Sequence, residues 1–123
     1  MIRGSVIDGR GAVLPLSIRG PGGSNIDVNA VIDTGFSGCM TLPTPLATAL
    51  GLVTKTGGTL VLADGTPRDS DLCIAEVLWD GAWHSITAWA LGDEVLIGMN
   101  MLDGFRMVID AVAGGAVEIS PLP

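Results

Sequence analysis

The sharpest chemical feature of this 123-residue chain is a carboxylate at the end of an apolar run. Ala30-Val31-Ile32 leads straight into Asp33-Thr34-Gly35, so an acid, a hydroxyl and a glycine follow one another. Glycine permits a tight turn and close approach of other backbone. The Gly35 N–H, and the Thr34 hydroxyl if turned inward, could orient the carboxylate for acid or base work. The same three residues also make an ordinary turn after a strand. The tripeptide arises by chance in roughly 2% of chains this long at ordinary residue usage. Its setting has to decide between the two.

Other groups offer less chemistry. His84 is the one histidine, and Cys39 and Cys73 are the two cysteines, without a CxxC spacing. That set is too sparse for a metal centre, and no cofactor is expected. The cysteines are read as free thiols of a reducing cytosol, which makes the expected location cytoplasmic. His84, beside Trp83 in an apparent strand, reads as a surface residue. Trp79, Trp83 and Trp89 read as core or cross-strand pairs, unless one of them faces a cleft. Met99, Met101 and Met107 read as core filler, and Asp110 as a surface turn residue.

The elements that must position Asp33 follow from periodicity. Residues 2–7 and 13–18 read as short strands. Ile26, Val28, Ala30 and Ile32 alternate with Asp27 and Asn29, the period of a half-buried strand. Residues 42–52 read as a helix, with Thr44 at the N-cap, Pro45 at the first helical position and Gly51 as the stop. Residues 59–63 and 71–78 read as strands joined through Asp64-Gly65. Trp79-Asp80-Gly81-Ala82 signals a second hairpin into residues 83–91. Residues 95–97, 105–109 and 116–119 read as further strands, with a helical turn over 99–103. The expected fold is all-β, one domain over residues 1–123, with about nine strands and one or two small helices.

Composition bounds the function. Six basic against 13 acidic residues give a net charge of −7, which disfavours a nucleic-acid backbone or an anionic membrane surface as partner. No apolar run approaches the ~20 residues of a membrane span, and Met1-Ile2-Arg3-Gly4-Ser5 lacks the apolar stretch of a signal peptide. Glycine, at 18 residues, argues for strands and tight turns over a helical bundle.

The ordered set resembles the retropepsin-like aspartic proteases of clan AA, closest to small prokaryotic members with Phe after the motif. It comprises Asp33-Thr34-Gly35 after an apolar strand, then a helix, the Asp64-Gly65 hairpin, and Leu96-Ile97-Gly98 opening a second helical turn. The tail from Met107 through Ile119 resembles the closing strands of that family. The resemblance implies a closed acid-protease barrel with one short helix and a flap hairpin. It makes Asp33 the catalytic acid, Thr34 the hydroxyl that locks two loops across a subunit boundary, and Gly35 the point of substrate approach. Ala63, Asp64, Gly65 and Thr66 become the flap tip, Leu96-Ile97-Gly98 backs the active-site loop and lines the cleft, and Leu62, Phe36 and Ile97 become the residues of apolar substrate pockets. Phe36 departs from the usual Ala, Ser or Thr and cannot hydrogen-bond the carboxylate. It is expected to turn towards the core with Ile32.

Peptide hydrolysis by this chemistry needs two carboxyls that share one proton, the arrangement for which aspartic proteases are the reference case. The chain has one Asp-Thr-Gly, so the resemblance implies a homodimer with Asp33 of each copy at the two-fold axis. The expected activity is endopeptidase cleavage of a peptide or protein, without metal or covalent intermediate. The alternative is a peptide-binding, ligand-binding or dimerisation module on the same fold.

Overall fold

The computed structural model describes residues 1–61 and 64–123. In chain order its elements are β1 (Ile2–Ile7), β2 (Gly11–Arg19), β3 (Asn25–Ile32), β4 (Met40–Leu42), α1 (Thr44–Ala49), β5 (Val53–Val61), β6 (Pro67–Trp79), β7 (Ala82–Ala90), β8 (Leu96–Ile97), α2 (Met99–Leu102), β9 (Phe105–Ile109) and β10 (Ala116–Pro121). The all-β expectation holds.

The strands form one sheet in the order β5-β6-β7-β4-β8-β3-β2-β1-β10-β9. A further pairing, Ile18 with Val77 and Arg19 with Glu76, joins β2 to β6. The sheet thus returns on itself through β2, β3, β8, β4, β7 and β6. β1, β10 and β9 continue outward from β2, and β5 from β6.

Alternation explains which side is filled. In β2, Leu14, Leu16 and Ile18 are buried while Pro15 is exposed, because successive side chains of a strand point to opposite faces. They meet Met40, Leu42, Val77, Ile97, Val117 and Ile119 in one core. Each such side chain stabilises the fold by about 1.5–3 kcal/mol relative to exposure. The hairpin between β6 and β7 turns on Asp80 and Gly81, both at positive φ (49° and 83°), as a type I′ turn demands.

Three local expectations change. The helix spans Thr44–Ala49, shorter than expected, and its N-cap is Pro43, without a side-chain cap. Thr44 begins the helix and points its hydroxyl towards the Ala90 carbonyl (3.5 Å). Met40–Leu42, partly assigned to that helix, is a strand held between β7 and β8. β5 starts at Val53, six residues before the expected 59. It pairs with β6 through an irregularity between Lys55 and Gly58.

Candidate active site

Asp33 is positioned by the way three strands interleave. β8 lies between β3 and β4, parallel to the first (Val31↔Leu96, Ile32↔Ile97) and antiparallel to the second (Met40↔Ile97, Thr41↔Leu96). The loop 33–39 therefore leaves one side of β8 and re-enters the sheet on the other. The Asp33 N–H donates to the Ile97 carbonyl at 2.8 Å. This prolongs the β3–β8 ladder to Asp33 itself.

The loop is fastened a second time where α2 begins. Consecutive N–H groups of Gly98, Met99 and Asn100 donate to the carbonyls of Cys39 (2.9 Å), Phe36 (2.8 Å) and Gly38 (3.2 Å). Asp33 is half-buried at the mouth. Its Oδ1 accepts the Gly35 N–H at 3.0 Å, the orienting contact expected of that glycine. Thr34 and Ser37 are exposed, and among the described residues neither hydroxyl bonds the carboxylate.

Asp33 opens onto a cleft of about 550 Å³. Besides Asp33 it is lined by Gly35, Phe36, Ser37 and Gly38 of the same loop, by Thr41, Leu96, Trp89 and Leu91, and by Thr59, Leu60 and Val61 of β5. Trp89 supports the β5 arm: a Cβ on Gly58 would lie 2.6 Å from its ring. A carboxylate that adjoins an apolar cleft under a two-stranded arm can hold a water and an extended chain together.

The expected site residues are brought together only in part. Asp33, Gly35 and Phe36 line the cleft, and Thr34 stands beside them at the surface. Ile97 does not line it. This side chain is fully buried in the core, and Leu96 faces the cleft in its place, because neighbours on a strand face opposite ways. Leu62 and Ala63 lie outside the described residues. Asp64, Gly65 and Thr66 are exposed at the end of the arm and are absent from the cleft lining, which β5 supplies earlier in the chain. There the Thr66 N–H donates to Asp64 Oδ1 at 2.9 Å. That backbone hydrogen bond holds the Asp64 carboxyl below its ordinary range.

Phe36 is half-buried and faces two ways, onto the cleft and onto Gly38 and Gly98. Trp89, Thr41, Leu91 and the β5 residues were not singled out as the site from sequence. The sequence marks Trp89 as one of three tryptophans of which one could face a cleft, but Ser85 and Thr87 on its side of β7 show no apolar face. Trp79 is core, edge-on to Phe105 at 5.7 Å between centroids. Trp83 lies under the Arg19 guanidinium at 4.1 Å, and His84 is exposed.

Cys39 and Cys73 are free thiols. Burial raises the pKa of both, and at Cys39 a hydrogen bond from Asn100 (3.2 Å) pulls the other way. Among the described residues no cluster of three or more His, Cys, Asp and Glu side chains is spaced to hold a metal ion. No helix among them is long and apolar enough to cross a membrane. Comparison with protein-family models, curated proteins and solved structures finds no significant match to the chain.

Proposed function

We propose that this protein is an aspartic endopeptidase of the retropepsin-like kind, working as a cytoplasmic homodimer. The observation that carries the reading is Asp33 at the mouth of an apolar cleft under the β5–β6 arm, in a loop fastened at Ile97 and at the start of α2. The closed circuit of strands is then the acid-protease barrel, and the arm its flap.

One carboxyl cannot be both base and acid in the same step. A second copy, related by a two-fold axis, supplies the partner's Asp33. The ionised carboxylate takes a proton from water as the water attacks the scissile carbonyl. The protonated one donates to the carbonyl oxygen. Collapse of the tetrahedral intermediate breaks the C–N bond, and the leaving amine takes a proton. The substrate lies extended between arm and carboxyls, held by main-chain hydrogen bonds as an added strand. In this reading Thr34, exposed beside Asp33, meets the opposite loop.

Titration with a statine-type peptide, which mimics the tetrahedral intermediate, tests this reading. Saturation at one inhibitor per two chains, in a particle of about twice 12.5 kDa by light scattering, supports it. Binding of one inhibitor per chain by a monomer contradicts it and favours a peptide-binding module.

A further inference from the structure

We infer that Phe36 is the positioning residue of the Asp33 loop, its ring filling the room left by the missing side chains of Gly38 and Gly98. The inference rests on the catalytic reading for its consequence, but its geometry stands alone. A Cβ on Gly38 would lie 2.6 Å from the Phe36 Cζ and 2.9 Å from Cε1, and one on Gly98 would lie 2.6 Å from Cδ2. The ring thus packs against both glycines, its Cζ and Cε1 at Gly38 and its Cδ2 at Gly98, and a side chain at either position would have to displace it.

Phe36 also joins the two fastenings of the loop. Its N–H donates to the Asp33 carbonyl (3.1 Å), and its own carbonyl accepts from Met99 (2.8 Å). Among the described residues the Gly35 N–H is the single hydrogen-bond donor to the Asp33 carboxylate. The direction of that carboxylate therefore depends on the path of the loop, not on a neighbouring hydroxyl. Where a hydroxyl after the motif would orient the acid by hydrogen bonding, this chain fixes the loop by packing.

Two measurements test this. The first is a double-mutant cycle in thermal melting, which separates a pairwise contact from independent effects. Gly38→Ala is expected to lower Tm by about 5 °C or more in the natural background, and far less in Phe36→Ala, where the ring is gone. Gly98→Ala is expected to be costly in both, since its added Cβ also meets the backbone carbonyls of Gly38 and Phe36. An equal penalty for Gly38→Ala in both backgrounds overturns the packing.

The second follows amide hydrogen exchange and cleavage together in Phe36→Ala and Phe36→Leu. Phe36→Ala is expected to speed exchange at Gly35, Met99 and Asn100 while the β2 and β3 amides keep their protection. It should also lower kcat at least tenfold with KM within about twofold, and Phe36→Leu should restore most of both. Unchanged exchange at Gly35 and Met99 overturns the positioning role, as does an unchanged kcat. If the natural protein cleaves no peptide, the protease reading falls, and the cycle and the exchange pattern still decide the role of Phe36.

Discussion

At the scale of single residues, Leu96 and Ile97 show how one step along a strand separates two functions. Ile97 is fully buried among the core residues, whereas Leu96 is half-buried and lines the cleft. Ile97→Ala should cost about 2–5 kcal/mol of stability, the range for truncating a buried aliphatic side chain. Leu96→Ala should cost clearly less and change which side chains are accepted next to the scissile bond. Urea unfolding and cleavage profiles of the two variants check this. Equal stability losses, or an altered profile in Ile97→Ala alone, would reverse the assignment. In the sequence the pair reads as two equivalent apolar residues. Which one faces the cleft depends on β8 lying between β3 and β4, and that is tertiary information. Asp33 was legible because a carboxylate after Ala30-Val31-Ile32 breaks an apolar run. Phe36 was visible as an anomaly, but its two glycine neighbours have meaning only once Gly98 is brought to it.

Among the elements, the arm is the one that the proposed function assigns to the substrate. β5 supplies Thr59, Leu60 and Val61 to the cleft, and it rests on Trp89 through Gly58. A side chain at 58 has to displace the arm or the indole. Gly58→Val should therefore raise KM severalfold with a smaller change in kcat, because the Asp33 loop is fastened elsewhere. Steady-state kinetics on one peptide decide it, and an unchanged KM would mean that the arm does not bear on the substrate. The first half of β5 was hidden in the sequence, where Thr54-Lys55-Thr56-Gly57-Gly58 shows neither alternation nor an apolar face. It is a strand because β6 supplies its hydrogen-bond partners. β4 was hidden for another reason. Three residues are too few to show a period, and all three are buried because strands flank them on both sides. The hairpin at Asp80-Gly81 was legible because its chemistry is local.

For the whole molecule, pH bears on stability through the two thiols. Burial raises the Cys73 and Cys39 thiols above their ordinary value. The unfolded chain then ionises its thiols first, so their contribution to stability is intact below roughly pH 8.5. It is lost as pH rises through the folded values. The chain has no tyrosine, and its one lysine, Lys55, is exposed. Few other groups therefore obscure the effect. Melting temperature between pH 7 and 10 should fall more steeply in the natural protein than in Cys73→Ala. Parallel curves would contradict the assignment. Catalysis as proposed uses neither thiol, so Cys73→Ala should change the pH dependence of stability and leave that of activity as it is. The most direct measurement is cleavage of a mixed peptide library by the purified protein and by Asp33→Asn, read by mass spectrometry at matched folded concentration. The expected result is defined internal cleavage by the natural chain and none by Asp33→Asn, with the two melting alike. Equal cleavage by both, or none by either, would contradict the assignment of Asp33 as the catalytic acid of a protease.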